Sequence, residues 1–455
     1  MGCANPVASA IDCVVGFCPL VMRFCYNILF VLFFWLSAPH YFLKMWRRGN
    51  WRDGFGQRFA RYSPELNAAL AKRPVIWLHA VSVGEVGVCC QLIRALEPHL
   101  AGFQILVSTT TSTGMAELRR VLPPSMLRIY YPADFAGGVR RAFKTIQPRA
   151  IILVEAELWP NFLCQAIAAR CPLFLVNARI SPRSLRNYRS FGFFFRPIFA
   201  GFSGVGCQQS EDARRMTELG FRAEAVRVTG NLKFDAAQPG ARATLNVPAL
   251  LRQIGVGEKA MLLVAGSTHA GEEAILAEQL IRLRRRFSDL FLILAPRHFE
   301  RTREVSRELE TRGVKFICRT DIPAGGLIAS GRFECLLLNT TGELKFFYEQ
   351  ATVVFVGKSL TAHGGQNPIE PAALGKPVVF GPHMENFASA AQAFVGGRAA
   401  VQVPDATSLE AALAELLADE RRRAELGARA REVVRQNLGA TERTVRLIVE
   451  GITSA

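Results

Sequence analysis

The chain lacks several signatures that would each point to a class of partner. Among its 455 residues are eleven cysteines, none paired as C-x-x-C, which removes the usual zinc and thiol-redox frameworks. Their odd number, with several in apolar runs, fits reduced thiols in a cytosolic setting. No zinc-finger spacing, RNA-binding signature or long basic tail occurs, so nucleic acid is not the expected partner. Carboxylates are scarce: 38 Asp and Glu against 55 Lys and Arg leave a net charge of +17, which points to an anionic partner such as membrane lipid or a phosphorylated substrate. No Asp-x-Asp motif stands near the glycine-rich turns discussed below, so neither a metal nor another cofactor is expected.

What is present suggests two domains and an extra N-terminal piece. A chain of this length exceeds one ordinary core, and domains of about 200 residues are expected. Residues 1–45 contain the nearly uncharged run from Phe24 to Leu43, about long enough to cross a bilayer. No small-residue cleavage site follows it. Lys44, Arg47, Arg48, Arg52, Arg58 and Arg61 come next, and the positive-inside rule puts that side in the cytoplasm. Pro39 and Arg23 leave open a shallow interfacial helix in place of a full span. The first globular domain is set at 46–235 and the second at 236–455, with the boundary in the Pro-, Gly- and Ala-containing stretch between Asn231 and Gly257.

From Val75 onward, short apolar strands alternate with helices, as in a doubly wound parallel sheet. Expected strands are Val75–His79, Gln104–Val107, Leu127–Tyr130, Ala150–Val154, Leu173–Val176 and Val205–Cys207. After the first comes a loop with only Gly84 and Gly87, short of a dinucleotide fingerprint but able to bring backbone near a substrate. Glu85 stands there at a helix entrance, where a carboxylate is favourable to the dipole in any case. Glu155 and Glu157 end another strand beside Trp159; one acid there could simply cap the helix, but two are better placed to grip the hydroxyls of a ligand. Farther on, Arg179, Arg183, Arg186, Arg189 and Arg196 interleave with Tyr188, Phe191, Phe193, Phe194 and Phe195, a composition suited to a phosphorylated lipid.

The second domain restarts at Met261–Ala265, followed by Gly266-Ser267-Thr268 and a helix opening at Glu272. Strand Leu290–Ala295 ends in Pro296-Arg297-His298, and Arg297 is placed to hold a phosphate. Asn339-Thr340-Thr341-Gly342-Glu343-Leu344 repeats the design. The stretch from Phe355 to Phe387 then reads as strand, glycine turn, helix and strand, with Ser359, Gly364, Gly365, Asn367 and Glu370 gathered at the turn. Asn367 with Glu370 has capping-box spacing, but Pro371 fits better as the first helical residue, leaving Glu370 at the helix mouth. There a carboxylate can take two ribose hydroxyls, and the crevice of an open α/β sheet is where a nucleotide binds.

Six further blocks, WLHAVSVGEV (77–86), AELWPN (156–161), NARISPRS (177–184), GNLKFD (230–235), AGSTHAGEE (265–273) and APRH (295–298), carry a resemblance over nearly the whole chain. The sequence resembles the 3-deoxy-D-manno-octulosonic acid (Kdo) transferases, GT-B-fold enzymes that use CMP-Kdo to modify a lipid A precursor in Gram-negative bacteria. The resemblance implies two Rossmann-like domains facing a cleft and a general base at Glu85, with Gly84, Glu155, Glu157, Arg179 and Arg183 on the acceptor side. It also implies a donor site drawn from Ser267, Thr268, Arg297, His298, Gly342, Glu343, Ser359, Gly364, Gly365, Asn367 and Glu370, and inverting transfer without metal at the inner membrane's cytoplasmic face. In such folds a helical tail, here from Ser408 to Gln436, often returns to the first domain. Two other readings stay open: a membrane-bound transferase of this fold with a different nucleotide-sugar, and a tethered ligand-binding module in which Glu85 only caps its helix.

Overall fold

The computed structural model describes residues 18–47, 53–155, 158–237, 245–323 and 333–453. Apolar β-branched runs form two sheets of seven strands each. The first holds β1 (Val75–His79), β2 (Gln104–Thr109), β3 (Leu127–Tyr130), β4 (Pro148–Val154), β5 (Leu173–Ala178), β6 (Gly204–Cys207) and β7 (Val226–Val228), in the order β3-β2-β1-β4-β5-β6-β7. The second holds β8 (Met261–Thr268), β9 (Leu290–Pro296), β10 (Phe316–Cys318), β11 (Cys335–Leu337), β12 (Val353–Val356), β13 (Val378–Phe380) and β14 (Val401–Gln402), in the order β10-β11-β9-β8-β12-β13-β14. Every pairing is parallel.

Parallel strands covered on both faces must be apolar throughout, and β1 is buried at all five positions. Its side chains alternate between two cores. Val75 and Trp77 enter one, while Ile76 and Leu78 enter the other. The buried Trp77 indole keeps a partner, its Nε1 donating to Ser108 Oγ at 2.8 Å.

The chain divides into a unit of Met1–Ala236 with Gly439–Ala455, and a second unit of Ala237–Leu438. Placing everything after 236 in one domain therefore needs correction at its end. Helices Ala406–Ala418 and Glu420–Gln436 stay with the second unit. The last helix, Ala440–Thr453, sets Ala440, Val445 and Ile448 into the core formed by Ile76, Leu78 and Leu92 of the first. Asp235 fixes its start, accepting from Gly439 N at 2.8 Å and Thr441 N at 2.6 Å.

The N-terminal helix runs from Cys18 to Arg47 with Pro39 inside it, and it is not separate from the first unit. Residues 23, 26, 27, 30 and 34 form one stripe at helical spacing, and that stripe touches protein. Arg23 Nε donates to Asn161 Oδ1 at 3.0 Å, and Asn161 Nδ2 to Asn27 Oδ1 at 2.7 Å. Tyr26 donates to Asp134 Oδ2 at 2.8 Å. Phe30 meets the rings of Phe135 and Trp159, and Phe34 those of Phe135 and Phe59. Of the basic residues expected to flank an anchor, Arg58 is turned inward, donating to Thr110 O at 2.8 Å and lying over the Tyr130 ring. Arg48 and Arg52 fall outside the described residues.

Candidate functional site

In an open parallel sheet the loops diverge where strand order reverses, leaving a crevice at the carboxyl ends. That point lies between β1 and β4 in the first sheet and between β8 and β12 in the second. Eight described residues other than glycine have positive φ, and three stand at these places, Glu155 (63°), Ser267 (57°) and Lys358 (56°), with Asn177 (54°) on the neighbouring β5. Such backbone costs about 1–3 kcal/mol each and collects at functional sites.

After β1, Ser82 caps the helix Val83–Leu96. Its Oγ accepts from Glu85 N at 3.3 Å, while the Glu85 carboxylate accepts from Val81 N at 2.9 Å and from Ser82 Oγ at 2.8 Å. This is a capping box, with S-x-x-E legible in the sequence. Gly84 beside it is open to solvent; a Cβ there would meet only Ser82 Oγ, at 3.9 Å.

Glu155, at the end of β4, is buried and anchors a network. Lys233 Nζ lies 2.7 Å from its Oε1, Asn177 Nδ2 donates to the same oxygen at 3.2 Å, and Arg179 Nε lies 3.8 Å from Oε2. Asn177 Oδ1 in turn accepts from Leu232 N at 3.0 Å. Two of the blocks quoted above, NARISPRS and GNLKFD, thus meet at this one carboxylate. Sequence reasoning misses Lys233 and Asn177, because nothing local marks a cation whose partner lies so far back in the chain. Glu157 falls outside the described residues. Arg183 is exposed on the helix Pro182–Ser190 and makes no hydrogen bond or ion pair among the described residues.

In the second sheet Glu272 explains why the loops after β8 and β12 hold together. Fully buried at the start of the helix Glu272–Arg284, it accepts from His269 N (2.9 Å), Lys358 N (2.7 Å), Ser359 N (2.9 Å) and Leu360 N (3.0 Å). Three of the expected donor residues prove to be committed within the fold. Thr268 donates to Glu273 at 3.0 Å, itself paired with Arg301 at 2.8 Å. The Ser359 hydroxyl donates to Val356 O at 2.5 Å and accepts from Gly381 N at 2.8 Å. Glu343 pairs with Arg319 at 3.0 Å and accepts from Thr340 Oγ1 at 2.6 Å.

Others line open surface. Gly342 has φ 88° with open space where a Cβ would stand, and Arg297 and His298 are exposed after β9. Gly364 and Gly365 have φ 123° and 67°, and a Cβ at the first would approach Asn386 and the Lys358 ammonium. Lys358 is a cation that sequence reading passes over. The helix after this turn is Ile369–Ala373, so Pro371 is its third residue rather than its first. Its missing N–H costs nothing there, since the first four N–H groups of a helix have no partner within it.

Glu370 is no backbone cap. Its Oε1 accepts from Asn367 Nδ2 at 3.0 Å, while Asn367 Oδ1 takes Ile369 N at 3.0 Å. The residue is reachable by water, yet desolvation by surrounding protein raises its pKa, against the opposing pull of Asn367, Lys345 and Arg297. Nearby, His363, His383 and Glu385 bring ligand-type atoms within 4.8 Å of one another, the one such group among the described residues. Although desolvation opposes it, hydrogen bonds from His363 and Gly364 N hold Glu385 down to about 2.

A family model described as 3-Deoxy-D-manno-octulosonic-acid transferase (kdotransferase) matches residues 53–236, and one for glycosyl transferases group 1 matches 333–433. The 3-deoxy-D-manno-octulosonic acid transferase of Bordetella pertussis is 36% identical over 90% of this chain and 95% of its own. This chain belongs to the 3-deoxy-D-manno-octulosonic acid transferases. The Haemophilus influenzae family member is 31% identical, covering 87% of this chain and 91% of its own. For the fold alone, the UDP-GlcNAc 2-epimerase of Neisseria meningitidis superposes with a TM-score of 0.57 at 11% identity, over 84% of this chain and all of that one. The family members are glycosyltransferases, which makes this chain an enzyme and sets aside the non-catalytic module.

Proposed function

We propose that the protein transfers Kdo from CMP-Kdo to a lipid A precursor at the cytoplasmic face of the inner membrane, with inversion at the anomeric carbon. The observation that carries this reading is family membership over nine-tenths of the chain, with the blocks WLHAVSVGEV and AGSTHAGEE on β1 and β8, a strand at the switch point of each sheet. Glu85 takes the proton of the acceptor hydroxyl as it attacks, its carboxylate held in the loop at the carboxyl end of β1. The Glu155–Lys233 pair, with Arg179, orients the acceptor.

On the donor side Glu370 receives the ribose hydroxyls. Arg297 and Lys358 face the departing phosphate, because neither is ion-paired to a carboxylate among the described residues and both lie at strand ends. Positive side chains and backbone N–H groups then do what a metal does elsewhere. The apolar N-terminal segment Met22–His40, with a mean hydropathy of 1.4, brings the enzyme to its lipid acceptor.

The test is incubation of purified protein with CMP-Kdo and a tetra-acylated lipid A precursor, following CMP release with and without chelator. Release under both conditions supports the reading. No release with CMP-Kdo, but turnover of another nucleotide-sugar, would replace the donor. Full and reversible loss on chelation would move attention to His363, His383 and Glu385.

A further inference from the structure

The N-terminal helix is apolar enough to span a bilayer, but its polar and aromatic stripe is already in use. Arg23, Tyr26 and Asn27 bond to Asp134 and Asn161, which are themselves buried. Asp134 accepts further from Asn161 N and Phe162 N, both at 2.9 Å, so the receiving end is rigid. From Arg23 to Phe34 the helix therefore follows the protein surface for about 16 Å. A bilayer-crossing orientation would draw that surface, with its buried carboxylate, into hydrocarbon, where polar and charged groups are costly.

The other side of the helix is bare and almost wholly apolar. Phe24, Leu29, Phe33, Trp35 and Leu36 are each more than half exposed. Tyr26 also stacks on Phe194, beside which Phe191 and Phe193 are exposed and Arg183 and Arg186 stand in solvent. Lipid-facing carbon flanked by arginine matches the acyl and anionic headgroup layers of a membrane surface.

We infer that the Asp134–Asn161 clasp holds the N-terminal helix in the plane of the membrane, so that the first domain rides on the bilayer surface and the helix does not cross it. This rests on the membrane association proposed above. It fixes where the enzyme meets its lipid: the helix and the Phe191–Phe193 segment form one lipid-contacting face. The sequence block AELWPN then serves two ends, with Asn161 and Trp159 gripping the helix next to the strand that carries Glu155.

The test uses the full-length chain with Cys3, Cys13, Cys18, Cys25, Cys164 and Cys318 each changed to Ser, which removes every native thiol not shown to be buried, and spin labels at Phe24→Cys, Ile28→Cys or Trp35→Cys, on phosphatidylethanolamine–phosphatidylglycerol vesicles. Power saturation reads the depth of each label. An in-plane helix puts the three within a few ångströms of one another, about 5–10 Å below the headgroups. A spanning helix separates the first and last by about 17 Å. That graded profile would overturn the inference while leaving membrane association intact. Failure to bind vesicles at all would defeat the association itself and the inference with it. Loosening the clasp with Arg23→Leu, Tyr26→Phe and Asn27→Leu, which leaves the domain side intact, should widen the spread of depths; an unchanged narrow profile would show that the clasp does not set the orientation.

Discussion

Glu85 and Glu370 look alike in the sequence, each an acid at the mouth of a helix after a parallel strand, but the two domains hold them differently. Glu85 is tied back into its own turn by Val81 N and Ser82 Oγ. Among the described residues Glu370 takes its hydrogen bond from the Asn367 side chain, and it is desolvated. Glu272, a third acid at a helix start, is fully buried and saturated by backbone N–H groups. Position in sequence thus marks the crevice, and only the hydrogen-bond count separates a clamp from a group that can still take a ligand.

Substitutions can break that comparison. Glu272→Ala should have the largest effect, leaving one buried and three partly buried N–H groups without their acceptor. At about 1–3 kcal/mol for each unsatisfied group, the second unit should lose most of its stability. Denaturant unfolding followed by limited proteolysis would read this. Survival of the variant near parental stability would mean that Glu272 is no clamp.

Glu85→Gln comes next. Gln preserves the capping box, so stability should change by less than about 1 kcal/mol while turnover falls by about 10²-fold or more. Unchanged turnover would reduce Glu85 to a cap. Glu370→Ala should leave the fold intact and weaken CMP binding by about ten- to a hundredfold, since a hydrogen bond to a charged group is worth roughly 1.5–3 kcal/mol. Calorimetry with CMP decides it, and unaltered affinity would move the ribose site elsewhere.

The smallest effect is one of pH. Burial pushes the Asp134 carboxyl up to about 6, against hydrogen bonds from Asn161, Tyr26 and Phe162 that pull it down. With a raised folded-state pKa, the stability this group contributes is complete below the ordinary carboxylate range and is lost as pH rises through about 6. Urea titrations at pH 5 and 7 should therefore show the parent gaining about 1 kcal/mol at the lower pH relative to Asp134→Asn. A pH-independent difference would mean that Asp134 is ionised throughout.

The parallel strands were legible because strands covered on both faces must be apolar runs, and β1 and β3 fall where the sequence puts them. Strands β7, β10 and β14 were not, being two or three residues long and only partly buried. Capping-box spacing misleads at Asn367. Asn367 and Glu370 have the spacing but bond side chain to side chain, whereas Ser82 and Glu85 form the box. Lys233 and the docking of Arg23 depend on partners far along the chain, and no local pattern encodes such contacts.

The return of Ala440–Thr453 to the first unit makes the second unit an insertion within the first. During synthesis the first sheet is complete by Val228, yet part of its core is the last helix, about 200 residues later. At about 5–20 residues per second, the first domain waits roughly 10–40 s for its final helix while the inserted domain is already out. A stop codon just beyond Leu438 would spare every strand and still leave Ile76, Leu78 and Leu92 uncovered, so damage at the extreme C-terminus should appear as misfolding of the N-terminal half.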